Sequence, residues 1–289
     1  MNILITGSDS QITAPFENSS ANYNILKLTR LELDITDYNK MKLIFDNFKP
    51  DIILNFAAYT KVDLAEIEID RAYNVNMKGV KNLSLLSNIF KCFLIHISTD
   101  YVFDGDQNIP YVETDQTNPL SIYGKSKLAG ENEIINILEK YLIIRVSWLY
   151  GIYKKNFLTF ILQNLKKSEL SVVNNQYGLP TNVFDLSKII HKIILKIKDN
   201  NISKNLFHYS NIGEPISWFD FANYILFLSE SYESIKTTIK PIKSIDFFKN
   251  NIRPSYTALN SDKIANFLDI PLIDWKVSLK KSIQMIYHS

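Results

Sequence analysis

Short apolar runs alternate in the first half of the chain with longer segments whose apolar residues recur at helical spacing. The runs rich in Ile, Leu and Val are Ile3–Thr6, Asn24–Leu28, Ile52–Asn55, Phe93–Ile97 and Leu142–Val146. The segments with helical period are Tyr38–Phe48, Leu64–Phe90 and Lys125–Leu138. Unbroken apolar strands separated by helices are typical of a parallel sheet covered on both faces. The pattern therefore predicts an α/β fold with a doubly wound, Rossmann-like parallel sheet.

The alternation becomes less regular after Gly151. Three later segments have helical period, namely Phe157–Leu165, Val183–Ile197 and Trp218–Leu228. Two short strands are predicted there, at Phe207–Ser210 and Thr257–Asn260. No linker rich in Pro or Gly interrupts the chain. We therefore predict a first domain over 1–151, whose core also takes in part of the later chain, and a smaller lobe over 152–289 that closes a cleft.

The composition excludes several classes of protein. The 289 residues carry a formal net charge of +2, which gives no reason to expect a nucleic acid polymer or an anionic membrane as partner. The single Cys92 excludes an internal disulfide, and no apolar run reaches the length of a membrane helix. The first residues also lack the pattern of a signal peptide. We expect a soluble, cytoplasmic protein.

Tyr123 and Lys127 stand four residues apart, shortly after the run that ends in Ser98 and Thr99. On a helix this spacing places both side chains on one face, about 5–6 Å apart at Cβ. A neighbouring ammonium stabilises a phenolate and lowers its pKa from about 10. The pair therefore indicates a proton-transfer site, although the same spacing also arises when a tyrosine packs and a lysine is solvated.

The first strand runs into a loop that resembles an incomplete dinucleotide-binding turn. Such turns carry three glycines, and here Gly7 is present while Ser10 and Thr13 occupy the other two places. A Cβ at the second place would press against the phosphates, so an ordinary strand-turn-helix is the alternative. Serine is small and its hydroxyl can donate to phosphate, so we expect weakened binding rather than none.

Thr29 and Arg30 follow the second strand, where NAD-binding proteins carry a carboxylate for the ribose. A guanidinium and a hydroxyl suit a 2′-phosphate instead, which predicts NADPH, with NADH as the alternative. Arg30 as a solvated loop residue is the other interpretation. Of the two acids that follow, Asp34 lies close to the predicted cofactor site, and Asp37 is a candidate N-cap for the next helix.

Seven segments spread over nearly the whole chain form one set. They are Pro50–Asp63 with Ala65 and Glu66, Val75–Asn76, Ser98–Gly105, Tyr123–Glu131, Arg145–Gly151, Gln176–Gly178 with Pro180 and Thr181, and Arg253–Pro254. In this order the set resembles the dTDP-4-dehydrorhamnose reductases of the extended short-chain dehydrogenase/reductase group. The Tyr-Lys pair alone would indicate only the wider superfamily.

The resemblance implies an NADPH-dependent oxidoreductase that reduces the C4 ketone of a nucleotide-linked 6-deoxyhexulose. The substrate it indicates is dTDP-4-dehydro-L-rhamnose, reduced to dTDP-L-rhamnose in deoxysugar and polysaccharide biosynthesis. It implies that Tyr123 is the acid, that Lys127 lowers its pKa and holds the nicotinamide ribose, and that Thr99 hydrogen-bonds the sugar. The first domain would bind the dinucleotide, and the later lobe mainly the nucleotide sugar.

The remaining site residues are implied by their places in the matching motifs. The cofactor residues are Gly7, Ser10, Gln11, Ile12, Thr29, Arg30, Asp34, Ile35, Asn55, Ala57, Ala58, Tyr59, Asn76, Ser98, Tyr123 and Lys127. The substrate residues are Val62, Thr99, Asp100, Tyr101, Tyr123, Trp148, Asn156, Phe157 and Arg253. Purely structural roles are the alternatives for four of these: turn hydrogen bonding for Asn55, core packing for Tyr101 and Trp148, and a surface ion pair for Arg253.

Four scattered histidines, at positions 96, 191, 208 and 288, suggest no zinc site. No carboxylates match those that some members of the family use in a magnesium-bridged dimer, so we predict no metal; a homodimer stays open. Three alternative functions also stay open. One is a noncatalytic regulatory subunit that binds cofactor or nucleotide sugar, another a 4-reductase for a different nucleotide sugar, and the third an epimerase of the same superfamily.

Overall fold

The computed structural model describes residues 1–18, 23–199, 202–248 and 253–288. Its strands are β1 (Asn2–Thr6), β2 (Asn24–Leu28), β3 (Ile52–Asn55), β4 (Phe93–Thr99), β5 (Tyr141–Val146), β6 (Leu149–Tyr150), β7 (Glu169–Val173), β8 (Tyr177–Gly178), β9 (Thr181–Asn182), β10 (Lys204–Tyr209), β11 (Ile216–Ser217) and β12 (Thr238–Ile242). Its α-helices are α1 (Thr13–Asn18), α2 (Tyr38–Phe48), α3 (Val62–Ala65), α4 (Ile69–Tyr73), α5 (Val80–Phe90), α6 (Ile122–Ile137), α7 (Phe157–Leu162), α8 (Val183–Lys198), α9 (Trp218–Ser229), α10 (Ser244–Phe248), α11 (Asp262–Leu268) and α12 (Trp275–His288).

Six parallel strands form the central sheet in the order β10-β5-β4-β3-β1-β2. The predicted doubly wound α/β fold is therefore confirmed. The chain reverses its direction across the sheet between β1 and β3, and ligands of open α/β sheets bind outside the carboxyl ends of the strands at such a point. The crevice outside the carboxyl ends of β1, β3 and β4 is therefore the expected ligand-binding site.

Alternate residues of the buried strands face opposite sides of the sheet. Ile3 and Ile5 pack on one side with α1, α8 and α11, while Leu4 packs on the other with α2, α5 and α6. Both faces of the sheet are therefore covered by helices and shielded from water, which explains why the strands carry apolar residues at successive positions. Helix α8 packs in this core and strand β10 belongs to the sheet, although both lie late in the chain.

A smaller lobe is built mainly from α7, α9 and α12 with the two-stranded sheet β7-β12. Phe221 and Trp275 are fully buried at its centre. Three short pairs, β6-β9, β8-β11 and β7-β12, lie outside the central sheet. The strands of β6-β9 and β8-β11 escaped prediction because two residues have no readable period. Strands β7 and β12 have five residues each and were also missed. Among the described residues, no helix is long and apolar enough to cross a bilayer.

Two predicted elements are wrong. The segment Leu64–Phe90 is not one helix but α3, α4, a π-helical turn at Asn74–Gly79, and α5. The predicted strand Thr257–Asn260 forms only isolated bridge contacts, because its backbone bonds to two separate residues, to Tyr177 at Thr257 and to Tyr111 at Ala258 and Asn260. Helix α2, by contrast, has the predicted bounds, and Asp37 caps it by accepting from Lys40 N at 3.0 Å.

The π-helical turn fixes the position of α6. Asn76 accepts from Tyr59 N at 2.8 Å and donates to Tyr59 O at 3.0 Å and to Ser126 Oγ at 3.0 Å. Gly130 of α6 lies so close to this turn that a Cβ there would be 2.1 Å from the Asn76 carbonyl oxygen. The absence of a side chain at position 130 therefore lets α6 approach the turn.

We expect Gly130→Ala to lower the free energy of unfolding by about 1–3 kcal/mol, because the added methyl pushes α6 away from Asn76. Asn132→Ala, at an exposed position of the same helix, is the matched control and should change stability by no more than about 0.5 kcal/mol. Urea unfolding measures both. Equal stability of the two variants would contradict the close contact.

Candidate active site

A cavity of about 500 Å³ lies at the carboxyl ends of β1, β3 and β4 and extends to α6 and β6. It brings together most of the predicted cofactor residues. Those that line it are Gly7, Ser10, Gln11, Ile12, Arg30, Asp34, Ile35, Ala57, Ala58, Ser98, Tyr123 and Lys127. The predicted substrate residues that line it are Thr99, Asp100, Tyr123 and Trp148.

Four predicted cofactor residues lie outside the cavity lining, and two of them, Asn76 and Tyr59, hold each other as described above. Thr29 donates its hydroxyl to Glu32 at 2.8 Å, so that hydroxyl is already engaged. Asn55 is fully buried behind the cavity and bonds to Thr6, Ala57 and His96. The hydrogen bonds seen for these residues are structural.

Five predicted substrate residues also lie outside the lining: Val62, Tyr101, Asn156, Phe157 and Arg253. Val62 begins α3, and Phe157 packs its ring against Trp218 at 4.5 Å. Arg253 forms an ion pair with Asp63 at 2.7 Å. None of these three residues contributes to the surface of the cavity.

Two further residues outside the lining contact residues that form it. The Tyr101 ring lies edge-on to Tyr123 at 5.7 Å, and burial raises the pKa of Tyr101 to about 12. Asn156 caps α7 and donates to Gln11 Oε1 at 3.3 Å, while Gln11 donates to Leu149 O at 3.2 Å. Gln11 thereby joins the first loop to the start of the smaller lobe.

The loop after β1 keeps the cavity open despite its lost glycines. Gly7 has φ +66°, and a Cβ there would lie 2.5 Å from Ala57 Cα, so glycine is required. Ser10 lines the cavity, and its hydroxyl accepts from Ile12 N at 3.4 Å. Thr13 is buried at the start of α1, away from the lining. Pro15 falls in the first turn of α1, the one part of a helix that tolerates it.

Tyr123 stands in the first turn of α6, next to Thr99 at the end of β4. Burial raises the pKa of the phenol, and a hydrogen bond with Thr99 opposes this rise. Lys127 is not among the groups that shift the pKa of this tyrosine. In this structure the phenol is therefore a protonated group at neutral pH, and the expected lowering of its pKa by Lys127 is not observed.

Lys127 is 2% exposed and turns its amine toward β4. Its Nζ donates to Ile97 O at 2.7 Å and lies 3.1 Å from His96 Nε2. Burial lowers the pKa of Lys127 to about 8, while the charge of Glu131 opposes that shift. The amine thus changes charge close to neutral pH, unlike an ordinary lysine.

Asp100 follows Thr99 and is 3% exposed at the cavity. Burial raises its pKa to about 7, against hydrogen bonds with Thr257 and Thr99 that lower it. Thr99 donates to Asp100 Oδ1 at 3.0 Å. The cavity therefore holds a carboxyl and an amine that both titrate near neutrality, a feature typical of functional sites.

A buried ion pair lies directly behind these groups. Glu131, one turn after Lys127, binds Arg145 of β5 with an Oε2 to NH2 distance of 2.6 Å, and both side chains are at most 5% exposed. Ser98 donates to Glu131 Oε1 at 2.5 Å, so its hydroxyl is engaged away from the cavity. The pair ties α6 to the sheet beside the Tyr123 and Lys127 positions.

Several cavity residues were missed by sequence analysis. Leu33 and Ile97 adjoin predicted positions, and Phe56, Val146 and Leu149 lie inside the segments that match the family. The others are Asp9, Thr60, Val75, Lys154 and Lys155. The two lysines lie in the loop after β6 and belong to none of the seven matching segments. Among the described residues, no cluster of three or more His, Cys, Asp or Glu is placed to hold a metal ion.

Comparison with known proteins agrees with this geometry. The family model described as RmlD substrate binding domain matches residues 1–288. The chain belongs to this family. This chain is also similar to a dTDP-4-dehydrorhamnose reductase of Aggregatibacter actinomycetemcomitans. The two sequences are 36% identical, and the match covers 96% of this chain and 97% of that protein. The predicted family resemblance is therefore confirmed.

Solved structures of dTDP-4-dehydrorhamnose reductases are also similar to this chain over nearly its whole length. The crystal structure of dTDP-4-dehydrorhamnose reductase from Bacillus anthracis in complex with NADP superposes with a TM-score of 0.91 at 33% identity, covering 98% of this chain and 99% of that one. A dTDP-4-dehydrorhamnose reductase from Clostridium acetobutylicum superposes with a TM-score of 0.90 at 34% identity, covering 99% of both. Family members thus share this fold along their whole length.

We expect Glu131→Gln to lower the free energy of unfolding by about 3–5 kcal/mol, because it leaves the Arg145 guanidinium buried without a counter-charge. Glu133→Gln is the matched control, since Glu133 pairs with Lys81 near the surface of the same helix; it should cost at most about 1 kcal/mol. Urea unfolding at neutral pH measures both. A loss in Glu131→Gln no larger than in the control would contradict the role assigned to the buried pair.

Proposed function

We propose that this protein is an NADPH-dependent reductase that converts dTDP-4-dehydro-L-rhamnose to dTDP-L-rhamnose. The observation that carries the proposal is the convergence of Tyr123, Thr99 and Lys127 on one cavity at the switch point of the sheet. The names of the relatives and their full-length similarity support the reaction class. A 4-reductase acting on another nucleotide sugar would use the same three residues.

The residues at the cavity fit a dinucleotide phosphate. Gly7 brings the backbone close to Ala57, so a pyrophosphate can lie against the loop amides, and Ser10 adds a hydroxyl. Arg30 is half exposed at the rim and pairs only loosely with Asp34, at 3.5 Å. Its guanidinium is free to bind a 2′-phosphate, which supports NADPH over NADH.

When bound, NADPH supplies the hydride that adds to the ketone carbon. The reduced carbonyl oxygen then needs a proton. Tyr123 holds that proton, because its raised pKa keeps the phenol protonated, and the Thr99 hydroxyl lies within hydrogen-bond reach of the phenol. Lys127 places a positive charge in the same cavity below its pKa of about 8. We assign that ammonium to the nicotinamide ribose, since its charge does not shift the pKa of Tyr123.

The smaller lobe supplies the sugar side of the site. Trp148 has φ +46°, lines the cavity, and stacks on Trp218 at 3.5 Å between ring centroids. Because α9 thereby fixes the indole, Trp148 offers a rigid flat surface to a hexose. Lys154 and Lys155 add positive charge for a diphosphate. We therefore keep the proposed division into a dinucleotide domain at 1–151 and a mainly nucleotide-sugar lobe at 152–289. A cytoplasmic location and a homodimer stay predictions from the sequence.

We expect Tyr123→Phe to lower kcat by about 10²–10⁴-fold, because the oxyanion loses its proton donor. NADPH absorbance with fresh dTDP-4-dehydrorhamnose measures turnover, and fluorescence titration measures NADPH binding, which should persist in the variant. Tyr38→Phe, on the distant helix α2, is the matched control. Cofactor binding without turnover in the parent, over a panel of nucleotide-linked ketosugars, would instead favour the noncatalytic alternative.

We expect Arg30→Ala to reduce the preference for NADPH over NADH by about 10–100-fold, since a charged hydrogen bond contributes about 1.5–3 kcal/mol. The ratio of kcat/KM for the two cofactors measures this. Arg71→Ala is the control, because Arg71 pairs with Glu68 on the surface outside the cavity lining. An unchanged ratio in Arg30→Ala would show that Arg30 does not read the 2′-phosphate.

A further inference from the structure

His96 lies in the middle of β4 and is fully buried between the sheet and α6. Its Nε2 is 3.1 Å from Lys127 Nζ, and its Nδ1 is 2.8 Å from Asn55 Nδ2. Both ring nitrogens are therefore in hydrogen bonds inside the protein. Since a neutral imidazole carries one proton, one nitrogen donates and the other accepts. The position of this proton determines whether Nε2 presents an N–H group or a lone pair to the Lys127 amine.

The orientation of Asn55 is fixed by the backbone. Its Oδ1 lies 3.1 Å from Ala57 N and 2.7 Å from Thr6 Oγ1. A backbone N–H can only donate, so the amide oxygen must face Ala57, and the amide nitrogen must face His96. An exchange of the two amide atoms would set two donors against each other at Ala57. Asn55 therefore presents an N–H to His96 Nδ1.

This donor determines the protonation of the ring. Because Asn55 donates to Nδ1, that nitrogen has to be unprotonated, and the single ring proton resides on Nε2. A doubly protonated imidazolium would place two N–H groups against each other, and burial with the Lys127 charge independently lowers the pKa of His96. The Nε2–H bond therefore points at Lys127 Nζ.

We propose that His96 is a positioning residue of the Tyr123–Lys127 pair, held by Asn55 in the Nε2–H tautomer so that it donates a hydrogen bond to the Lys127 amine. This contact favours the uncharged amine, whose lone pair accepts the bond, over the ammonium, which has none. Lys127 then donates to Ile97 O and accepts from His96. The proposal rests on the proposed function only for its effect on turnover.

Other ionisable groups also lie near Lys127. On α6, Glu131 favours the ammonium but is bound to Arg145 of β5. At the end of β4, Asp100 titrates near neutral pH, and Tyr123 precedes Lys127 by one turn. The register places Asn55 of β3 opposite His96, and Ile143 of β5 on the other side, neither of which titrates. His96 is thus the group on β4 that opposes the charge.

Two substitutions separate the contacts of the ring. In His96→Asn, the amide oxygen takes the place of Nδ1 and keeps the bond from Asn55, but nothing faces Lys127. In His96→Gln, the amide nitrogen takes the place of Nε2, and Asn55 imposes the same orientation as before. Only His96→Asn should remove the N–H group that faces the Lys127 amine.

The expected result is a change in the pH profile of kcat/KM for the sugar at saturating NADPH. In the parent, activity falls on the alkaline side as Lys127 loses its proton. His96→Asn should move this limb upward by about half a pH unit or more, whereas His96→Gln should leave it close to the parent. A merely structural role would lower activity in both variants without moving the limb.

The tautomer itself is measured without turnover. In protein labelled with ¹⁵N-histidine, long-range ¹H–¹⁵N correlations distinguish the protonated ring nitrogen, and the His96→Gln spectrum assigns the His96 signals. His208 is the internal control, because its Nδ1 lies 3.0 Å from the Tyr111 carbonyl oxygen and must carry the proton there. We expect opposite tautomers for His96 and His208.

Asn55→Asp provides a second variant. Its carboxylate accepts from Nδ1–H, so His96 should change to the Nδ1–H tautomer or become protonated. Finding the Nδ1–H tautomer for His96 in the parent, or a limb unmoved in His96→Asn, would overturn the proposal. An inactive protein with His96 in the Nε2–H tautomer would instead reject the proposed function while leaving the arrangement of the ring intact.

Discussion

Helix α6 places two ionisable side chains inside the protein, and the neighbouring strands have to provide their partners. Lys127 and Glu131 are four residues apart, so both face the sheet, and both are nearly inaccessible to water. A buried charge without a partner costs several kcal/mol. Strand β4 meets Lys127 with Ile97 O and His96, and strand β5 meets Glu131 with Arg145. The position of Tyr123 depends on this pairing, because the phenol stands one turn before the lysine on the same helix.

The two pairs differ in the way they handle charge. Glu131 and Arg145 are opposite charges in close contact, which fixes α6 against the sheet. Lys127 has only neutral partners in direct contact, so burial shifts its pKa to about 8, within reach of working pH. The helix therefore carries an ion-paired side chain that fixes its position and, one turn earlier, a lysine that titrates near neutral pH. This separation explains how a rigid frame can surround a group whose protonation changes.

Sequence analysis predicted the parallel sheet from the apolar runs of the buried strands, and most of the cavity residues from their places in the motifs that resemble the family. It did not separate cavity residues from those behind them. Asn55 and Asn76 were predicted as cofactor residues, yet their side chains bond to backbone and to buried neighbours. In a sequence, an asparagine that lines a cavity cannot be distinguished from one that bonds only to the surrounding protein. His96 escaped prediction for the same reason, since its partner Lys127 is 31 residues away and only the strand register brings them together.

The loop after β1 shows which part of the glycine pattern the fold needs. At Gly7 the requirement is conformational and steric at once, because φ is positive and Ala57 lies within 2.5 Å of any Cβ. At Ser10 the hydroxyl bonds to Ile12 N within the turn, so a small side chain is accommodated with the cavity still open. Thr13 is taken into the helix and away from the cavity lining. Only the first position forbids a side chain outright, so the cavity of this protein stays open although Ser10 and Thr13 stand at the other two positions.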